Sequence, residues 1–225
     1  MNLTENKLYM TQDLSSEIHV ADWVHAMIYD EGDVLEKVTF GAWASLKYFG
    51  YHEQEKNYNK HFLINGWDNR CEIYSLLSTM GEKITAKIDG ELASSRSFLD
   101  MHIVSFVAEN GLIDLDGIVN IIEGIEKVEW YLAEENIFLG SKWKVRGLPT
   151  LLVHSNDVKA AHACNMERIS DDKLFYLRAR GLPKEDATVL MLESYISKIF
   201  GNLEENHEDL YNEVKQRILE RIKTK

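Results

Sequence analysis

Near Ile169 the hydrophobic period of this chain changes, and that change limits the fold more than any other feature. Upstream, apolar residues recur in short runs of period two: Lys83-Ile84-Thr85-Ala86-Lys87-Ile88, Ile113-Asp114-Leu115, Gly117-Ile118-Val119-Asn120-Ile121-Ile122 and Pro149-Thr150-Leu151-Leu152-Val153. Successive side chains of a strand point to opposite faces, so this is the pattern of half-buried strands. Gly66, Asp89-Gly90, Asn110-Gly111, Asp116-Gly117 and Gly124 separate the runs and read as turns. Gly32, Gly41 and Gly50 recur at nine-residue intervals, as do Gly81 and Gly90. Many short strands at this spacing suit a sandwich, a barrel or a β-solenoid, and periodicity does not choose among them.

Downstream the period is helical. Ser170-Asp171-Asp172 supplies a capping side chain and first-turn acids, and Gly181 is a natural stop. Pro183 suits the first turn of a second helix, with Val189, Leu192, Ile196 and Ile199 on one face. A third helix has Leu210, Val214, Ile218 and Ile222 spaced by four, opposite a charged face. The chain thus divides into an N-terminal segment (1–15), a β body (16–168) and a helical region (169–225). The apolar helix stripes pack either on the body itself or on a partner protein.

The 225 residues carry a net charge of −12, which disfavours phosphate-backbone binding and argues against nucleic acid as a partner. The two cysteines, Cys71 and Cys164, form no CxxC pair, so neither a disulfide framework nor a closed zinc site is expected. The N-terminus lacks the apolar core of a signal peptide, and no apolar run approaches the ~20 residues of a membrane helix. The expectation is a cytoplasmic protein without a membrane partner. GxxxxGK[ST], HExxH and GxSxG are all missing, so the chain is not expected to be an enzyme, and any nucleotide hydrolysis would come from a partner.

The densest polar chemistry is His162, Cys164 and Glu167, with Lys159 close by. On an extended segment His162 and Cys164 share a face, and a thiolate beside an imidazole suits iron or an iron–sulfur unit. Glu167 adds a hard oxygen ligand. The bland reading is that Cys164 is a small hydrophobe and His162 a satisfied edge residue. Cys71, in Asn69-Arg70-Cys71-Glu72-Ile73-Tyr74, reads as core. The five tryptophans read as core or interface residues.

The string Asn156–Ala187 is similar to the C-terminal signature of the SufB/SufD family of iron–sulfur cluster scaffold proteins. The resemblance is carried by Asp157-Val158-Lys159, His162, Leu174-Phe175-Tyr176 and Arg180-Gly181. It extends upstream through Pro149-Thr150-Leu151, Ala133–Leu139 and Asp116-Gly117, roughly from Ser78 to Phe200. The resemblance implies a right-handed parallel β-helix with a C-terminal helical domain. It also implies docking of a SufC-type ABC ATPase on the C-terminal helices, through Asp172, Leu174, Phe175, Tyr176, Arg178, Arg180 and Pro183. Pairing through the β-helix with an identical or a SufB/SufD-type subunit follows from it, as does contact with a transient iron–sulfur cluster. Trp143 stands where SufB-type members carry a cysteine, and Ala163 where they carry a glutamate. His162 is retained, so the chain resembles SufD more than SufB and is short for the family. The other reading is a structural or regulatory partner of such an ATPase that binds no cluster. A β-helical enzyme acting on carbohydrate would need a cluster of carboxylates that the sequence does not display.

Overall fold

A computed structural model describes residues 1–147, 149–169 and 171–223, with the backbone alone for Asp171. In chain order its strands are Asn2–Leu3 (β1), Leu8–Met10 (β2), Glu17–Val20 (β3), His25–Asp30 (β4), Lys37–Phe40 (β5), Ser45–His52 (β6), Asn57–Ile64 (β7) and Arg70–Thr79 (β8). They continue with Lys83–Leu92 (β9), Phe98–Val107 (β10), Leu112–Ile121 (β11), Glu126–Phe138 (β12), Lys144–Arg146 (β13), Thr150–Val153 (β14) and Asp157–Arg168 (β15). Odd-numbered strands β1 to β13 form one sheet, with β14 also pairing β11, and even-numbered strands β2 to β12 together with β15 form the other. Neighbours within each sheet are parallel, as in β4 on β6, β9 on β11 and β12 on β15. A chain that alternates between two parallel sheets is a β-solenoid, which decides among the three architectures that alternation allowed.

Two sequence readings change. Residues 1–15 are not a separate segment, because β1 pairs β3 and β2 pairs β4, making the first short coil. Asp89-Gly90 and Asp116-Gly117 are not turns but lie inside β9 and β11. The physical reason is space inside the solenoid: a Cβ on Gly90 would lie 2.4 Å from Leu99 Cδ2, and one on Gly117 would lie 2.1 Å from Glu134 Oε1. The passage from the first sheet to the second uses left-handed residues on successive coils, Trp23 (φ 64°), Trp43 (φ 52°), Asp68 (φ 58°) and Arg96 (φ 62°). The tryptophans there meet outside the core: Trp23 and Trp43 stack with ring centroids 4.4 Å apart, and Trp67 meets Trp43 edge to face at 5.1 Å. Trp130, by contrast, is buried.

The interior is an apolar column that includes Ile28, Leu46, Ile73, Cys71, Met101 and Leu132. It also encloses an ion pair: Lys60 Nζ lies 2.7 Å from Asp30 Oδ2 and donates to the carbonyls of Leu35 (2.8 Å) and Gly32 (3.0 Å). Tyr48 donates to the same carboxylate at 2.9 Å. Burial lowers the Lys60 pKa, and the Asp30 charge opposes that fall.

Helices Asp171–Ala179 (α1), Lys184–Glu204 (α2) and Glu208–Lys223 (α3) follow the last strand. Leu192, Ile196, Ile199, Phe200 and Leu203 of α2, with Tyr211, Val214 and Ile218 of α3, form a second core. Its floor is the outer face of the second sheet: Tyr29, Phe49, Tyr51, Tyr74, Leu76, Val104, Phe106 and Ile137. The stripes of α2 and α3 therefore cover the body's own surface. Arg217 fixes this docking with two bonds to Glu31 (2.6 and 3.1 Å), and Arg221 donates to the Glu53 carbonyl at 2.8 Å. Gly181 is left-handed (φ 94°) and ends α1 as expected. Pro183 precedes α2 rather than opening it, and its carbonyl accepts the Ala187 N–H at 3.0 Å. The proposed Ser170 cap lies outside the described residues.

Candidate functional site

The solenoid ends on an open edge. Among the described residues, β15 is the outermost strand of the second sheet and pairs β12 alone. Of its residues only Val158 and Glu167 are half-buried; the other ten are exposed. A twelve-residue edge strand leaves one row of backbone N–H and C=O groups without a ladder, which is a template for another chain.

Register places the candidate ligands on this edge. His162 stands over Leu132 and Cys164 over Glu134. Leu132 belongs to the interior core, so alternation directs His162 and Cys164 to the same inward-facing side. Glu134, one coil below, is 3% exposed, and its Oε1 finds no hydrogen-bond partner. Burial, reinforced by Asp116 and opposed by the Gly117 N–H, raises the Glu134 pKa to about 7. Desolvation and then the Glu134 charge push the Cys164 thiol up. Nothing in the sequence reading marked Glu134. It sat in an acidic run, and only the alternation of β12 shows that it faces inward while Glu135, paired with Lys198, faces out.

Glu167 is not brought to this pair. It lies on the outer face, where it accepts hydrogen bonds from Tyr195, Lys173 (3.1 Å) and Asn165 (3.4 Å). These donors, Tyr195 first, lower its pKa. The expectation that it shares a ligand set with Cys164 fails on parity, since an odd spacing along a strand changes face. Lys159 pairs with Glu129 at the edge. Cys71 is fully buried, and its thiol is pushed well up by burial. Among the described residues no three His, Cys, Asp or Glu side chains converge on a metal-sized point.

The residues assigned to partner docking cluster on α1. Phe175 and Tyr176 are 71% and 58% exposed, unusual for aromatic side chains on a short helix. Asp172, Arg178, Arg180 and Pro183 are also exposed, and Arg180 lies over the Tyr176 ring at 4.8 Å. Leu174 is the exception: it is buried and lines a cleft of about 540 Å3 between the helices and the solenoid end, beside Phe138, Leu139 and Leu192. It anchors α1 instead of presenting a contact. Trp143 stacks on Phe138 at 3.5 Å.

The fold and this end together define a class: a parallel β-solenoid with a bare twelve-residue edge and a helical cap carrying exposed aromatics. Residues 44–195 match the family described as "SUF system FeS cluster assembly, SufBD core domain", and the chain belongs to that family. The match starts well upstream of Ser78, where the motifs alone left off. It is 27% identical over 187 residues to the iron–sulfur cluster assembly protein SufD of Escherichia coli, covering 76% of this chain and 42% of that protein. It is 29% identical over 105 residues to the SufD of Bacillus subtilis, covering 44% and 24%. The chain thus spans less than half the length of these curated relatives. No helix among the described residues is long and apolar enough to cross a membrane.

Proposed function

We propose that this chain is a non-enzymatic accessory subunit of SUF-type iron–sulfur cluster assembly in the cytoplasm. It docks a SufC-type ABC ATPase on the outer face of α1. It pairs through the β15 edge with a second copy or with a SufB/SufD-type protein. A nascent cluster is the cargo, and His162 and Cys164 are the groups of this chain that face it. The observation that carries the reading is the placement of an exposed twelve-residue edge, bearing an imidazole and a thiol, beside a helix whose aromatics face solvent. A soft thiolate and an imidazole fit iron as donors.

Affinity for the ATPase, measured by calorimetry, tests the docking half. Phe175→Ala with Tyr176→Ala should weaken binding about tenfold or more, as loss of aromatic anchors does at interfaces. Unchanged affinity would remove α1 from the interface. A second reading, a partner of the ATPase that holds no cluster, is favoured by Trp143 stacked on Phe138 and by Ala163, which offer no ligand. Anaerobic reconstitution with iron and sulfide separates the two. Cluster absorption that disappears in Cys164→Ala and His162→Ala supports the first, and a wild type that gains no cluster absorption supports the second.

A further inference from the structure

Among the described residues, Glu134 is buried in the solenoid and no cation pairs with its carboxyl. Its carboxyl fills the space that Gly117 leaves by lacking a Cβ. It lies on the inward side of β12 between Leu132 and the buried, polar Asn136, with its Oε1 unpartnered. An unsatisfied buried polar atom is costly, and such atoms gather where a structure serves something beyond packing. The rung above it is Cys164, on the bare edge, and the charge of Glu134 reaches that thiol. Strands in a sheet lie roughly 4.8 Å apart, so a carboxylate and a thiolate on one inward column can reach a common ion.

We infer that Glu134 and Cys164 form a donor pair for a thiophilic divalent cation at the open end of the solenoid. This chain supplies two donors, in keeping with the lack of any three convergent ligands among the described residues. Water, sulfide or a second chain completes the coordination. A carboxylate with a thiolate suits borderline ions such as ferrous iron, cobalt or zinc. On binding, the Cys164 Sγ–H proton and any carboxyl proton on Glu134 leave to solvent, and the thiolate and carboxylate take the metal. The inference rests on the reading that the inward side of the β15 edge receives iron.

Anaerobic titration of the full chain with Co2+ alone tests it, because a thiolate–cobalt bond gives a charge-transfer band in the near ultraviolet. The wild type should show the band, Cys164→Ser should lose it, and Glu134→Gln should weaken binding at least about tenfold. Gly117→Ala, which pushes the carboxyl aside without changing any donor, should also weaken binding. If Glu134→Gln does not fold by circular dichroism, Glu134→Ala takes its place in the titration. A Glu134 variant that binds Co2+ as tightly as wild type, with the band intact, overturns the donor pair and leaves the Cys164 edge standing. A wild type with no thiolate–cobalt band overturns both.

Discussion

A Cβ on Gly90 would meet Cδ2 of the fully buried Leu99 at 2.4 Å. Gly90→Ala should therefore destabilise the fold by about 1–3 kcal/mol through overpacking, read as a lower urea midpoint. The buried Lys60–Asp30 pair makes a sharper prediction. Lys60→Met leaves the Asp30 carboxylate uncompensated and should cost about 3–5 kcal/mol, whereas Lys60→Met with Asp30→Leu should recover much of it. A double variant as unstable as the single one would show that the cost comes from packing. Glu134 supplies a pH test. Its folded pKa of about 7 lies above its usual 4.5, so the folded state holds a proton that the unfolded chain has lost. The stability contributed by this group is complete below pH 4.5 and is lost as pH rises through 7, by up to about 3 kcal/mol. Relative to Glu134→Gln, wild-type stability should fall between pH 5 and 8, and parallel curves would contradict the buried, unpaired carboxyl.

Among the elements, α2 and α3 hold to the body through aromatic and aliphatic packing, and α1 barely does. Phe200 is fully buried, with its ring centroid 6.4 Å from that of Phe49. Phe200→Ala should cost about 3–5 kcal/mol, while Phe175→Ala should stay within about 0.5 kcal/mol because its ring is in solvent. The helices were legible in the sequence because spacing by four survives any tertiary context, and Leu192, Ile196, Ile199, Val214 and Ile218 face the core as read. Strand alternation was legible too, but architecture was not, since sandwich, barrel and solenoid share the same two-residue period. Register between distant strands distinguishes them, and it has no local signal. Glycine misled for a related reason. In Asp116-Gly117 the local rule says turn, yet the residue is glycine because Glu134, on the facing strand β12, needs the room. Glu134 and Glu167 show the same limit at the site: parity along β12 and β15, invisible until the strand bounds are known, puts one inward and the other outward.

For the whole molecule, the strands lengthen from β1, with two residues, to β12, with thirteen, and the twelve-residue β15 ends the second sheet. A bare edge of this size promotes pairing with another chain unless it is covered. Placing Lys at Ala161 and Ala163 should block such pairing and leave the monomer folded, with mass by light scattering as the readout. The family match runs through this edge and α1, from 44 to 195. The account's central claim is that one end of the solenoid brings an ABC-type ATPase and a second β-helical subunit together. Native mass spectrometry of the full chain mixed with a SufC-type ATPase tests it most directly. The account predicts a complex holding ATPase and a pair of β-helical subunits, with ATPase lost on Phe175→Ala/Tyr176→Ala and pairing lost on Ala161→Lys/Ala163→Lys. A chain that stays monomeric and free of ATPase under those conditions would contradict it.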